Sequence, residues 1–536
     1  MRLSPGAVMF MATVVALGVR LYTLTRPGFL TQSTEYDDGV YLGAAIRLTQ
    51  GVMPYHDFAF VQPPGILLLM APAALFARVT SSTDGLALAR VLTVLASTAC
   101  IPLAGRLVRY RGTLVTGLTC FFLALYPSDI AAAHTLLLEP WMNLLCLIAV
   151  NLAFSGGRLA DRTSRLAWAG IVIGFAGTVK FWAAAPALVI LVMCLVVRDE
   201  ARVRRTLAYV GGVVGAFIVP LVPFAMYSPM TFFHSTITYQ AARVGSYTPL
   251  SLRLAHITGL IDVLNYWGSL TVTAGSQSLY AQAVDADTAP SHPGFGPYLA
   301  AVLLVAVIGA GFYLGRRAIA QVEWFALATL VLALAAILWY SAFFYHYPAF
   351  PGPWLAIVAG VALGGLLGRV QLQVRQVVVG AIAVCLAGAT VLQIAEVTPL
   401  TTPAGAAAFE NLIPPGACVV SDQVSLLISA NRFTASKPGC PVVIDSLATT
   451  LVLTQGTSVQ GGANGDHAAI AQWRTILEHA QYVWLSPNHW RRLPWPPYEE
   501  RWFREHFKQI WPATSQQFPD STWVRGLGNL FERTSS

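Results

Sequence analysis

Charge is what this sequence lacks most. Asp, Glu, Lys and Arg make up 11% of its 536 residues, against 56% hydrophobic residues, and the mean hydropathy is +0.61. A soluble globular chain carries about 25% charged residues, so a single soluble domain, a disordered chain and a coiled coil are all excluded. Lysine is nearly missing: Lys180, Lys437 and Lys508 are the only three. The seven cysteines contain no CxxC pair and no metal-ligand spacing. Nucleotide fingerprints, a G-x-S-x-G elbow and internal repeats are also missing. The net charge of +8 is not a nucleic-acid signal, because the arginines sit in short loops between apolar runs.

What is present is a series of those runs. Covering the hydrocarbon takes about 20 apolar residues. Spans are expected near 6–24, 86–107, 113–127, 137–154, 166–179, 182–197, 207–227, 297–315, 323–344, 353–368 and 377–396, eleven in all. The first lacks a small-residue cleavage site and is expected to stay as a span rather than leave as a signal peptide. Arg106, Arg109 and Arg111 share one loop, and Arg158, Arg162 and Arg165 the next. Arg198, Arg202, Arg204 and Arg205 form a third, Arg316 and Arg317 a fourth, and Arg369 and Arg375 a fifth. In this threading all lie on one side with Arg2, and the positive-inside bias makes that side cytoplasmic. The opposite side receives loops of about 25–85 and 228–296 and the tail from about 400. The run Ile66–Ala77 is read as a short helix on or re-entering the outer face, because Pro63, Pro64 and Pro72 interrupt it. Counting it as a span would flip every later basic loop.

Ionisable residues near apolar segments are costly and so informative. Those on the expected outer side include Glu35, Asp37, Asp38, His56, Asp57, Asp129, His134, Glu139, Lys180, His234, Arg243 and His346. The first outer loop is densest in acids. Its residues from Val40 to Thr49 have helical apolar spacing, with Asp37 and Asp38 at or just before the helix start. Carboxylates there can cap backbone N–H groups. Equally, one can take a proton from a hydroxyl. Glu139, before Pro140, reads either as an interfacial residue or as a second carboxylate of the same site. Lys180 reads as a snorkelling residue or as a phosphate contact on a side poor in cations. His346, within FFYHYPAFPGPW, reads first as an interfacial histidine satisfied among aromatics, and Arg243, within YQAARVGSY, as a second anion partner or a solvated loop arginine.

Together these segments resemble the GT-C glycosyltransferases, closest to the branch of protein O-mannosyltransferases and aminoarabinose transferases. The resemblance rests on the aspartate pair, on the G-x-x-PY-x-DF stretch from Gly51 to Phe58 that includes His56 and Asp57, and on the QPPG segment at 62–65. Glu139-Pro140, the turn from Gly174 to Lys180 and the His346-Tyr347-Pro348 end of the ninth span add to it. It implies a polytopic helical membrane enzyme, with residues 1–399 as the catalytic domain. Such an enzyme moves a sugar, mannose or another pentose or hexose, from a polyprenyl-phosphate carrier to an acceptor hydroxyl, inverting the anomeric carbon. The acceptor would be a glycan, lipid or protein, on the outer face of the cytoplasmic membrane. By position Asp37 matches the family's base, with Asp38 beside it and Glu139 as second acid. Lys180, His346, Arg243, His56 and Asp57 are candidate substrate contacts. A divalent Mg or Mn ion on Asp37, Asp38 and Glu139 is a minor alternative. The rival function is a transporter or flippase for a lipid-linked or small solute.

Composition changes from Thr401. Ala417–Ser421, Pro441–Ile444 and Tyr482–Leu485 read as strands. Ser425–Asn431, His467–His479 and Pro497–Phe507 read as helices. The alternation predicts a small α/β domain over 400–536 outside the membrane. Cys418 and Cys440 are either a disulfide or two buried thiols. Trp473, Trp484, Trp490, Trp495, Trp502, Trp511 and Trp523 are candidates for stacking on sugar rings or for core packing.

Overall fold

The computed structural model describes residues 3–26, 28–197, 200–242, 248–259, 295–315, 319–340, 342–396, 409, 411–456, 462–486, 489–511 and 528–534. It is mostly helical, and a helix lies at each of the eleven expected spans. Five are long and apolar enough to cross a membrane: Pro5–Thr25, Ser82–Arg111, Arg202–Tyr227, Gly296–Leu314 and Gln321–Trp339. A sixth is the pair Thr113–Ala124 and Pro127–Ala133, bent by 50°. Leu138–Ala153, Thr163–Val179, Phe181–Val196, Gly352–Leu367 and Leu372–Gly388 are apolar but shorter. The protein is therefore a multi-pass membrane protein.

The chain divides into two compact units, each assembled from separated segments. The first comprises Met1–Thr23, Leu92–Pro220 and Ser246–Thr398, and the second Leu24–Val91, Leu221–Gly245 and Pro399–Ser536.

Small residues pack the helices of the first unit. A Cβ at Gly174 would lie 2.9 Å from Val213 Cα, and one at Gly212 would lie 2.9 Å from Ile171 N. Glycine at these positions lets the backbones of Thr163–Val179 and Arg202–Tyr227 meet, the usual solution where lipid removes the hydrophobic drive. The 50° bend has its own cause. Pro127 begins the second helix of the pair, so the first ends before it. Buried Arg20 then donates to Ala124 O at 3.0 Å and pairs with Asp129 Oδ2 at 2.5 Å. Ser97 Oγ accepts from Arg20 Nε at 2.9 Å and donates to Asp129 at 3.0 Å. One guanidinium thus satisfies the carbonyl end of one helix and the acid of the next.

In the second unit the Ile66–Ala77 run forms two short helices, Gly65–Leu69 and Ala71–Val79, with Pro72 in the first turn of the second. Neither is long enough to span. The helix Asp37–Thr49 packs on Val424–Ser429 through Gly39, where an added Cβ would come within 2.6 Å of Ser425 Cα.

The C-terminal segment forms a four-stranded mixed sheet. Its order is Val419–Ser421, Tyr482–Leu485, Asn529–Arg533, Phe507–Trp511, with the first pair parallel and the others antiparallel. The strand expected at Pro441–Ile444 is not formed. Pro441 lacks an N–H for a ladder, and the run continues directly into the helix Ser446–Leu453. The two antiparallel strands FKQIW and NLFER escape a sequence reading because they are short and their polar and apolar residues do not alternate. Trp473 and Trp484 are 2% and 1% exposed and belong to the core, so they are not stacking surfaces. Trp495, Trp502 and Trp511 are partly buried, Trp490 is exposed, and Trp523 lies outside the described residues.

Cys418 and Cys440 are disulfide-bonded across a sequence separation of 22. Closing a loop of that length restricts the unfolded chain by about 3 kcal/mol. Replacing both cysteines by serine is expected to make this segment cleavable at much lower protease concentration. Unchanged resistance would show that the bond adds little.

Candidate active site

The twin acids open a helix, but they have different surroundings. Asp38 is fully buried, and its Oδ2 pairs with Arg90 at 2.6 Å. Arg90, also 0% exposed, donates further to Phe29 O at 2.7 Å and Thr34 Oγ1 at 2.8 Å. One guanidinium therefore ties the helix start to the chain that leads into it. Asp37 is only partly buried, and its Oδ2 accepts a long 3.3 Å bond from Tyr41 one turn on. The helix has no side-chain cap at Tyr36. The acid pair is thus divided: one carboxylate is neutralised inside the fold and the other remains accessible.

Tyr36 fixes the entry to this helix. Its hydroxyl donates to Asp445 Oδ1 at 2.7 Å and accepts from Leu447 N at 3.2 Å. The Arg492 guanidinium lies 4.2 Å from its ring centre and donates to Asp422 Oδ2 at 2.8 Å. Asp422 also accepts from Ser486 N at 2.6 Å. Burial, with the Asp445 carboxylate beside it, pushes the Tyr36 phenol well above its usual value. The phenol stays protonated and keeps its role as donor. The C-terminal segment thereby holds the residue next to Asp37.

The motif that follows is a constrained turn. Tyr55, 2% exposed, has φ of +67°, a conformation uncommon for a bulky residue. Its ring meets Phe232 edge-on at 5.0 Å. Asp57 accepts from Met53 N at 2.7 Å and contacts His56 Nδ1 at 2.7 Å. The Met53 N–H, the stronger influence, holds the Asp57 carboxyl below its ordinary range, with a smaller contribution from His56. His56 and Asp57 are both solvent-exposed, so their pairing stabilises little.

The first unit joins three more of the expected residues. Glu139 is fully buried, with Oε1 2.5 Å from Lys180 Nζ and Oε2 3.0 Å from His346 Nδ1. Lys180 occupies the extended link after the helix Thr163–Val179. It does not snorkel: it is 9% exposed, with its ammonium 3.7 Å from the Trp182 ring centre and 4.4 Å from that of Tyr347. Nor does Glu139 face lipid or water. Its carboxylate is met by the Lys180 ammonium and the His346 ring, 41 and 207 positions away. His346 too is buried, at 6% exposed. Arg243 lies outside the described residues. Among the described residues no group of three or more His, Cys, Asp or Glu could hold a metal. Asp38 and Glu139 instead have oxygens committed to cations.

Arg90 and Arg20 were not among the expected site residues. The signal for both was legible: each is an arginine inside a long apolar run, where a charge needs a partner.

With this geometry in place, the comparisons decide the class. The model of glycosyltransferase family 87 matches residues 60–335, more than half of the chain. The chain belongs to glycosyltransferase family 87. It is therefore an enzyme, a glycosyltransferase. Its fold is of GT-C type, similar to that of ArnT from Cupriavidus metallidurans bound to undecaprenyl phosphate. That likeness has a TM-score of 0.60 and 14% identity, over 98% of this chain and 97% of ArnT. The apo state of that ArnT gives 0.58 and 13%, with the same coverage. The oligosaccharyltransferase of Archaeoglobus fulgidus in its apo form gives 0.52 and 13%, over 90% of this chain and 70% of that one. At such identities the likeness is one of fold. No curated protein matches the sequence.

In this family 87 chain, Arg90→Met should leave Asp38 as a buried charge without its guanidinium. Breaking a buried pair costs about 3–5 kcal/mol. Yield and melting temperature should both fall, and Arg90→Lys should restore them only in part, because one ammonium cannot reproduce the fork that reaches Asp38, Thr34 and Phe29. A melting temperature unchanged by Arg90→Met would remove the pair from its structural role.

Proposed function

We propose that this glycosyltransferase moves a sugar from a polyprenyl-phosphate carrier to an acceptor hydroxyl, on the outer face of the cytoplasmic membrane. Asp37 is the general base. The observation that carries this reading is the division of the acid pair: Arg90 neutralises Asp38, while Asp37 keeps an accessible carboxylate on a rigid helix start.

The step balances simply. Asp37 takes the proton of the acceptor hydroxyl as its oxygen attacks C1 of the sugar. The C1–O bond to phosphate breaks, and polyprenyl phosphate leaves with the electron pair. Attack opposite the leaving group inverts C1. Phosphate is a good leaving group and needs a nearby cation more than it needs a proton. Lys180 supplies that charge, with Glu139 and the rings of Trp182 and Tyr347 fixing its direction. His346 holds the second oxygen of Glu139, which keeps the carboxylate from turning away from Lys180. His56, Asp57 and Arg243 are further substrate contacts in this reading. A lipid-linked donor also accounts for an enzyme embedded in the membrane, since such a carrier stays in the bilayer. The undecaprenyl phosphate on ArnT, whose fold this chain shares, supports that donor class.

The membrane orientation follows the arginine loops, with the N-terminus cytoplasmic and the C-terminal segment outside. The Cys418–Cys440 disulfide supports it, because such bonds persist in oxidising compartments.

Membranes given radiolabelled polyprenyl-phosphate sugar should transfer label to an acceptor. Asp37→Asn should lower that transfer by about 10²- to 10⁴-fold, the usual worth of a general base, with expression maintained. Equal transfer by the variant would remove Asp37 as the base. Flux of the lipid-linked sugar across proteoliposomes without transfer would favour a flippase.

A further inference from the structure

Where the helix Pro5–Thr25 begins and the helix Ser82–Val108 ends, the first unit holds a cavity of about 440 Å³ lined by Pro5, Gly6, Arg106, Arg109, Tyr110 and Gly156. The last turn of the helix Ser82–Val108 and the 3-10 turn Arg109–Arg111 after it carry three arginines, which are treated differently. Arg111 is bound in a fork to the buried Glu323, with Nε at 2.6 Å and Nη2 at 2.7 Å. Tyr110 donates to the same carboxylate at 2.6 Å. Glu323 also accepts from Ala320 N at 2.9 Å, so its oxygens are fully engaged. Arg106 and Arg109 remain exposed. Among the described residues neither forms an ion pair, and both face the cavity.

Two guanidinium groups beside the start of a helix suit a phosphate. The helix that starts there also presents an apolar flank: Phe10 and Val14 are 69% and 52% exposed, and Leu3, just before the helix, is 52% exposed. In a membrane-spanning helix that flank meets acyl chains. A free phosphate would use the arginines alone, whereas a phospholipid uses both features.

We infer that this cavity is a binding site for the headgroup of an anionic phospholipid, with its acyl chains along the flank of the first helix. The inference is independent of the sugar-transfer reading. Basic pockets between spanning helices are suited to such headgroups. A lipid held there would bridge the start of the first helix to the helical segment that carries Arg106 and Arg109.

The test is native mass spectrometry of the full-length protein, comparing retention of phosphatidylglycerol with that of phosphatidylcholine. Wild type should retain phosphatidylglycerol preferentially. Arg106→Gln with Arg109→Gln should weaken retention by roughly thirtyfold, taking both arginines at their usual worth near a charged membrane surface. Arg158→Gln with Arg162→Gln removes the same charge from exposed positions that do not line the cavity, and should leave retention unchanged. Gly6→Leu keeps both arginines but fills the cavity wall, where an added Cβ meets only Ser4 Oγ at 3.9 Å. It too should weaken retention, and it serves if the double arginine variant does not fold. Equal losses in the two double variants would show diffuse charge attraction and overturn the site. So would full retention by Gly6→Leu. Displacement of the lipid by glycerol phosphate at equal concentration would show that a free phosphate suffices, and would overturn the lipid assignment.

Discussion

A charge inside an apolar fold needs a partner, and among the described residues several buried acids are met by basic side chains. Asp38 is met by Arg90, Asp129 by Arg20, Glu139 by Lys180 and His346, and Glu323 by Arg111. Each pair joins segments far apart in sequence. Such pairs need not add stability over a well-packed apolar alternative, but removing one partner is severe. Their value lies in register, since each allows only one arrangement of the segments it joins. The Asp38–Arg90 pair is the most consequential: it absorbs one acid of an adjacent pair and leaves the other outside the ion pair.

The helical layout was legible because hydropathy over about 20 residues is a strong signal and the arginine loops alternate with it. The non-spanning character of 66–77 was legible from its prolines. The site was legible only as separate residues. Glu139, Lys180 and His346 each stood out as an isolated polar group, and each had a bland alternative. Only the fold converts them into one ion-paired cluster, because nothing in local spacing couples positions 139 and 346. Arg90 and Arg20 escaped for a related reason. An arginine in a loop reports orientation by itself, whereas one inside an apolar run signals only that a partner exists, not which segment supplies it. The strands at 507–511 and 529–533 escaped because a partly exposed sheet of short strands shows weak alternation. Burial of Trp473 and Trp484 shows tryptophan in its ordinary use as core filler.

The C-terminal segment links its own stability to the acid-bearing helix. Tyr36, next to Asp37, is gripped by Asp445 and covered by Arg492, and Gly39 permits a backbone approach to Ser425. The reactive carboxylate of the proposed mechanism therefore sits on a helix start fixed from several directions. A general base gains from such fixation, because proton transfer requires the acceptor oxygen within hydrogen-bond reach.

The most direct measurement is label transfer from a polyprenyl-phosphate sugar, per folded molecule, by two variants assayed side by side. One is Asp37→Asn. The other neutralises the buried pair together, Asp38→Asn with Arg90→Gln, so that no charge is stranded. A structural Asp38 and a catalytic Asp37 predict that the double variant keeps most of its transfer while Asp37→Asn loses nearly all. An inactive double variant beside an active Asp37→Asn would contradict the division of roles.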